Sequence, residues 1–327
     1  MGYQHGKQAA PLIRRYLEWI SKLTGSPLRQ LASHAFRFMP LVQHLSRKYI
    51  DEVLGLAEGA GISIGEAMLC QVRGEAVGLS ERACTTFALT RSATNGRVPL
   101  AGQNQDLEPG FADVAIVLKI KPSDGRPKAV MLTFAGQLGY AGMNDRGVAN
   151  FANSLYNFQW RFAVSHYPLK RCFVEQSRVQ ACIELLRRYR TCSAANVMLC
   201  DGKGAIRDVE IRPEGIRIFN GSNSDALVHT NHYLTSDFQR FERGTLPDSP
   251  ARLQRFQTMV NLRLGKITVD TLKAMLADHA GYPASICRHG ADGLHSICGY
   301  IAEPAKSTFH VRRGYGCSGT WDAHRIA

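Results

Sequence analysis

The spacing of hydrophobic positions changes once along this chain. Between residues 7 and 80 apolar side chains recur every three or four positions, as in Leu12, Ile13, Tyr16, Leu17 and Ile20, the period of helices with one buried face. Pro11, Pro27 and Pro40 punctuate that region, and Ser63-Ile64-Gly65-Glu66 has the form of a capping box opening its last helix. From Cys84 onward the period falls to two. Residues 84–91 and 98–105 predict two strands joined through Thr94-Asn95-Gly96-Arg97, where Asn-Gly signals a tight hairpin. Further strands are predicted at 114–120, 128–134, 147–153, 196–200, 205–211, 215–219, 295–301 and 306–312. One long helix is predicted from Tyr167 to Arg190, and others at 249–263 and 268–280. Strand runs, central helices and strands again predict an α+β fold of antiparallel sheets layered with helices.

Composition narrows the class. The 327 residues, 45% hydrophobic, suffice for one large domain or two modest ones. No run of roughly 18 apolar residues occurs, so no membrane span is expected. His5, Lys7, Arg14, Arg15, Glu18 and Lys22 leave no secretory signal at the start. The nine cysteines are scattered and none forms a Cys-x-x-Cys pair, which predicts reduced, inert thiols in a cytoplasmic protein rather than a disulfide or zinc framework. The net charge of +13 is diffuse, densest where Lys170, Arg171, Arg178, Arg187, Arg188 and Arg190 face Glu175 and Glu184. Without a nucleic-acid-binding motif beside it, that patch predicts a solvated basic face, or one steering an anionic substrate such as the phosphates of an acyl-CoA, and no specific nucleic-acid partner.

Three positions carry candidate chemistry. Cys84 opens the first strand, Asp106 ends the second in Gly102-Gln103-Asn104-Gln105-Asp106, and Asn231 lies within His229-Thr230-Asn231-His232. If the chain were cut before Cys84, one residue would offer both a thiol and a free α-amine, with ordinary pKa values of about 8.5 and about 8. The amine can then serve as the thiol's general base. Ser80-Glu81-Arg82-Ala83 is a polar, small-residue approach to that bond. A returning second strand would bring Asp106 near Cys84, and the Asn231 amide could donate to an oxyanion. Taken singly, Cys84 also reads as an inert strand thiol, Asp106 as a cap, and His229 with His232 as half a zinc site.

Together, Gly2-Tyr3-Gln4-His5-Gly6, Cys84-Thr85-Thr86-Phe87-Ala88, Gly102 to Asp106, Gly147-Val148 followed by Asn153, and His229 to Tyr233 resemble the acyl-coenzyme A:6-aminopenicillanic acid acyltransferase family of N-terminal nucleophile hydrolases. The resemblance runs through nearly the whole chain. It implies a four-layer αββα sandwich of two antiparallel sheets preceded by a helical segment. It also implies self-cleavage at the Ala83–Cys84 bond, making residues 1–83 a pro-segment retained as a small subunit and 84–327 the catalytic domain. The implied activity is hydrolysis of a linear, non-peptide amide or transfer of its acyl group to an amine. By position, Cys84 matches the nucleophile, Asp106 the acid orienting its amine and Asn231 the oxyanion asparagine. Asn153, Thr85 and Arg288 are the further site candidates. No cofactor and no metal are implied; the partners are a small acyl-amide or acyl-CoA substrate. Ala83 stands where the penicillin enzyme has glycine, Gln105 replaces a frequent aromatic, and the sequence begins almost on the Gly-x-x-His-Gly motif, so that a strand usually preceding it is expected to be missing. Two other readings stay open: a thiol hydrolase using His229 or His232 without cleavage, and an inactive protein of this fold that binds an anionic ligand.

Overall fold

The computed structural model describes residues 1–77, 83–221, 223–243, 246–291 and 293–326. Ser80 to Arg82, part of the predicted approach to the cleavage bond, lie outside the described residues. The N-terminal region is helical throughout: α1 (Gly2–Thr24), α2 (Leu28–Phe36), α3 (Met39–Leu45), α4 (Arg47–Ala60), α5 (Ile64–Gln71) and α6 (Arg73–Val77). The capping box is present, with Ser63 Oγ accepting from the Glu66 N–H and Glu66 accepting from the Ser63 N–H at 2.7 Å. Pro11 does not interrupt α1. It lies on the exposed face, where water can serve the carbonyl that its ring leaves without a donor. The Gly-x-x-His-Gly motif is a packing device. A Cβ on Gly2 or Gly6 would overlap the Glu52 or Leu56 carbonyl of α4, so glycine lets the two helices touch backbone to backbone.

The remainder forms two antiparallel sheets. Strands β1 (Ala83–Leu89), β2 (Leu100–Leu107), β3 (Ala115–Ile120), β4 (Ala129–Phe134), β5 (Ala141–Asn144) and β6 (Val148–Ser154) precede helices α7 (His166–Phe173) and α8 (Val179–Arg188). Then come β7 (Ala195–Asp201), β8 (Ile206–Arg212), β9 (Gly215–Phe219), β10 (Ala226–His229), α9 (Ser236–Gln239), α10 (Ser249–Asn261), α11 (Val269–Leu276), β11 (His295–Glu303), β12 (Thr308–Arg313) and β13 (Thr320–Arg325). One sheet has the order β10-β1-β2-β11-β12-β13 and the other runs β3 to β9 in sequence. Helices α10 and α11 cover the outer face of the first sheet through Phe256, Val260, Leu272 and Leu276 against Phe87, Leu100 and Ile301. Helices α7 and α8 cover the second through Leu169, Phe173 and Ile183 against Val148, Val197 and Val209. The facing inner surfaces interdigitate, with Phe151 stacked on Tyr300 and Phe309. This is the four-layer αββα sandwich of the N-terminal nucleophile hydrolases, with a helical segment ahead of it.

Three local expectations differ. The β1–β2 connection is not a two-residue turn but spans residues 90–99, where Thr94 Oγ1 bonds both the Val98 carbonyl at 2.7 Å and its N–H at 3.1 Å. The helix predicted from Tyr167 to Arg190 is broken after Phe173. Asn144 takes the Val174 and Gln176 carbonyls at 3.0 and 2.6 Å, and Asp201 accepts the Val179 N–H at 3.1 Å, so side chains serve backbone groups that a continuous helix would pair. The basic patch is also divided. Arg171 is buried against Glu52 at 3.2 Å and Glu175 at 3.1 Å, and Lys170 Nζ lies 4.5 Å over the Tyr140 ring. Arg178, Arg187, Arg188 and Arg190 remain on the surface. No single described helix is long and apolar enough to cross a membrane.

Candidate active site

The first pair of strands does what the alternation predicts. In the β1–β2 register Ala83 lies opposite Asp106 and Cys84 opposite Gln105. Because side chains alternate, Cys84, Thr86, Gln103 and Gln105 face the second sheet, while Thr85, Asn104 and Asp106 face α10 and α11. All are buried. Cys84 therefore has its thiol on one side of the sheet and the candidate acid on the other, with its own backbone nitrogen between them.

That nitrogen is clamped. The Cys84 N–H donates to Asn231 Oδ1 at 2.9 Å, and the Cys84 carbonyl accepts from Arg252 Nη1 at 2.6 Å. Arg252 Nη2 also reaches Asn231 Oδ1 at 3.1 Å, so two donors fix which way the Asn231 amide points. Its Nδ2 donates to the Ser154 carbonyl at 3.0 Å, and its own N–H goes to Ser249 Oγ at 2.7 Å. Asn231 thus meets the cysteine backbone as an acceptor, with one amide hydrogen engaged by β6.

Asp106 is fully buried. Oδ1 accepts from Ser296 at 2.6 Å, and Oδ2 has no hydrogen-bond partner among the described residues. Burial raises its pKa, and the nearby positive charges of Arg252 and Arg288 only partly offset this. Arg252 and Arg288 both bind Asp248, Arg252 through Nε at 2.5 Å. Arg288 is therefore buried beside the aspartates and anchored on Asp248. The result is a buried layer of two arginines and two aspartates directly behind the start of β1. Thr85 belongs to this layer, its Oγ1 accepting from Arg252 at 3.2 Å.

On the thiol side Thr86 and Asn153 pair through neutral groups. Thr86 donates to Asn153 Oδ1 at 2.6 Å, and Asn153 Nδ2 donates to the His229 carbonyl at 3.3 Å. Asn153 and Ser154 line a cleft of about 40 Å³ with Trp160, His166, Tyr167 and Lys170, to which α6 contributes Gly74 and Glu75. The two histidines look elsewhere. His229 directs Nδ1 to the Thr230 carbonyl at 2.8 Å and Nε2 to Glu210 at 3.2 Å. Burial depresses its pKa, but Asp208 and Glu210 outweigh that and raise it to about 9. His232 sits 2.8 Å from Ser249 Oγ, its pKa lowered to about 4 by burial and by the neighbouring His229 and Arg252.

The predicted residues Cys84, Asp106, Asn153, Asn231 and Arg288 are thus brought together around one strand end. Arg252, Asp248, Ser249 and Ser296 are the partners that sequence reasoning missed. Arg252 left a trace: it stands one turn before Phe256 on the inward stripe of α10, where a charged residue is out of place unless paired.

Comparison with known proteins agrees with this architecture. Residues 92–315, more than half of the chain, match the family model described as acyl-coenzyme A:6-aminopenicillanic acid acyl-transferase. The 40 kDa form of the acyl-coenzyme A:6-aminopenicillanic-acid-acyltransferase of Emericella nidulans is 27% identical over 303 residues, covering 90% of this chain and 83% of that protein. Among solved structures, penicillin V acylase from Agrobacterium tumefaciens superposes with a TM-score of 0.51 at 11% identity, over 74% of this chain and 86% of that one. A conjugated bile acid hydrolase variant from Clostridium perfringens gives 0.49 at 14% identity, over 75% and 97%. By the span of the family match, this chain belongs to the acyl-coenzyme A:6-aminopenicillanic acid acyltransferase family.

Proposed function

We propose that the chain is a self-processing amidohydrolase or acyltransferase whose nucleophile is Cys84, exposed as a new N-terminus by cleavage of the Ala83–Cys84 bond. The observation that carries this reading is Asp106: a fully buried carboxylate, opposite Ala83, with one oxygen unpartnered among the described residues. An uncleaved chain leaves that oxygen without a hydrogen-bond donor among the described residues. Cleavage supplies one, because the freed amine of Cys84 can be protonated beside it.

In the first step the Cys84 thiol attacks the Ala83 carbonyl carbon. The C–N bond breaks, the nitrogen takes a proton, and a thioester joins Ala83 to Sγ. Water hydrolyses that thioester, leaving the Ala83 carboxylate and a free Cys84 bearing both thiol and amine. In turnover the amine takes the thiol proton and the thiolate attacks the substrate carbonyl. The tetrahedral oxyanion is held by a backbone N–H and by the second amide hydrogen of Asn231. The leaving amine then receives the proton from the Cys84 ammonium. Water, or an acceptor amine, resolves the acyl-enzyme. Asn231 Oδ1 and Asp106 position the amine throughout, and Arg252 holds the strand carbonyl.

The contacts of the N-terminal helices support their retention as a subunit after the cut. Arg73 donates to Tyr167 at 2.6 Å and lies 4.3 Å over the Phe111 ring, and Gln71 donates to the Gly136 carbonyl at 2.6 Å. The cleft beside Asn153 marks where a substrate acyl group would approach the thiol side of the strand, and its volume of about 40 Å³ must widen to admit one. The exposed Arg187 and Arg188 suit the phosphates of an acyl-CoA co-substrate. A thiol hydrolase without cleavage is less well supported, since both ring nitrogens of His229 are taken up by Glu210 and Thr230.

Intact mass tests the reading directly. Wild-type protein should resolve into two chains that divide between Ala83 and Cys84, and the larger should be labelled by a thiol-directed acyl probe. Cys84→Ala should stay whole and turn over nothing. A wild-type chain that stays whole yet hydrolyses acyl-amides would replace this proposal with the histidine-assisted one. A chain that is cut but never labelled would leave a binding protein.

A further inference from the structure

The scattered cysteines read as inert thiols along the sequence, yet the fold gathers two of them. Cys287 and His289 sit on the segment between α11 and β11, His279 lies just after α11, and Cys317 lies in the β12–β13 connection. Their ligand atoms, two Sγ and two ring nitrogens, all fall within 4.8 Å of one another. His289 Nε2 is 3.5 Å from Cys287 Sγ, 3.5 Å from Cys317 Sγ and 2.9 Å from His279 Nε2.

These spacings have a geometric meaning. With metal–sulfur bonds of about 2.3 Å and metal–nitrogen bonds of about 2.0 Å, the edges of a zinc tetrahedron are ~3.5 Å for N···S and ~3.3 Å for N···N. Both sulfur distances lie on that edge, and the histidine pair needs only a few tenths of an ångström. A disulfide between Cys287 and Cys317 would instead need the sulfurs at about 2.05 Å, with neither histidine involved. The His289 ring is also held in place, stacked at 4.2 Å on Tyr315, whose hydroxyl in turn meets His295 Nδ1 at 2.6 Å. Two thiolates and two neutral imidazoles balance a divalent ion and have the softness that selects zinc over calcium or magnesium.

We propose that His279, Cys287, His289 and Cys317 form a closed, tetrahedral Cys₂His₂ site for zinc. Binding displaces the two thiol protons to solvent and forms four coordinate bonds, with no redox change. All four positions are taken by protein, so the ion is structural rather than catalytic. Its role follows from what lies between the ligands. Arg288 is flanked by Cys287 and His289, so the ion ties the segment carrying the buried arginine beside Asp106 and Asp248 to the far edge of the sheet. The ion thus acts as a positioning element for Arg288.

The test is made on tag-free full-length protein, stripped by chelator under reducing conditions and reloaded. Wild type should bind one zinc per chain. Cobalt in its place should show the visible bands of tetrahedral Co²⁺ and thiolate charge transfer in the near ultraviolet. Cys317→Ala and His279→Ala, both at exposed ligands, should each weaken zinc binding by at least about 100-fold, beyond what loss of an outer-shell partner costs. The wild-type cobalt spectrum stands even if a variant misfolds. Absence of stoichiometric zinc, zinc held equally well by both variants, or a native Cys287–Cys317 disulfide seen as alkylation-resistant mass would each overturn the site. None of these outcomes touches the Cys84 chemistry, which is read separately from chain cleavage.

Discussion

The two faces of the β1–β2 pair are built from opposite materials. Toward the second sheet, Thr86, Gln103 and Gln105 meet neutral partners, Asn153, the Ala152 carbonyl and Tyr300, and charge enters only one strand away, at His229 and Glu210. Toward the helices, Thr85 and Asp106 meet arginines and a second aspartate. A period of two means that no single side chain of β1 can reach both faces. The backbone nitrogen of residue 84 can, because it lies in the plane between them. Freeing that nitrogen is therefore what would connect the thiol to its charge-bearing layer, and under the proposed cleavage it would let the thiol react without a histidine at hand.

The sharpest way to break the comparison is to discharge one face without changing its shape. Asp106→Asn keeps the size of the side chain and a group that Ser296 can bond. Loss of the carboxylate should lower kcat by ~10²–10⁴-fold, the range for a misadjusted general base. Stability should move the other way. Burial raises the folded pKa of Asp106 above its unfolded value, so its stabilising contribution belongs to low pH and is lost as pH rises through the folded pKa. At neutral pH the asparagine variant should melt at or above its parent when both also carry Cys84→Ala and stay uncleaved. A variant that turns over normally would remove Asp106 from the mechanism.

Arg252→Met asks how far the charged layer depends on one member. It removes the donor to the Cys84 carbonyl and one of the two cations on Asp248. Breaking a buried pair by one partner costs about 3 kcal/mol, part of which Arg288 recovers because it stays on Asp248. Chemical denaturation should show that loss, together with slowed chain cleavage, whereas Arg252→Lys should restore part of the stability and little of the cleavage rate. Equal rescue of both would make Arg252 a purely structural residue.

How much of this was legible beforehand depends on the range of the signal. Cys84, Asp106 and Asn231 stand in local motifs, and the predicted strands 84–91 and 98–105, folded back on each other, brought Asp106 near Cys84. The strand runs and helical periods likewise gave the layered class. What escaped was fixed at a distance. The break between α7 and α8 is made by Asn144 and Asp201 on other strands. Strands β5, β10 and β13 are short or partly polar, and pairing partners rather than their own pattern define them. Lys170 and Arg171 read as surface charge because their partners, Tyr140 and Glu52, lie far along the chain.

A weaker lever is pH acting on the inner face. His229 is buried with Glu210 and Asp208, its pKa raised to about 9, and burial lifts Asp208 to about 7. A raised folded pKa means stability that is full below the unfolded value and is lost as pH climbs through the folded one. Both groups therefore point the same way, Asp208 between about pH 4 and 7 and His229 between about pH 6.5 and 9, so the melting temperature should fall by several degrees across the two windows. Glu210→Gln should flatten that slope while lowering stability at every pH. A melting curve indifferent to pH across both windows would show His229 neutral and the inner face uncharged throughout.

The smallest effect compares adjacent residues directly. Thr85→Val and Thr86→Val make the same chemical change one position apart, on opposite faces. Thr86 donates to Asn153 at 2.6 Å, and Asn153 lines the cleft. Its loss leaves a buried acceptor short and should cost about 1–2 kcal/mol, with KM rising as the cleft wall relaxes. Thr85 only accepts from Arg252, at 3.2 Å, and Arg252 retains the Cys84 carbonyl, Asn231 and Asp248. Thr85→Val should therefore cost under about 1 kcal/mol and act on kcat alone, through the strand carbonyl. If the two variants shifted the same kinetic constant, the faces would not divide binding from chemistry, and the alternation of β1 would be a packing pattern with no consequence for the reaction.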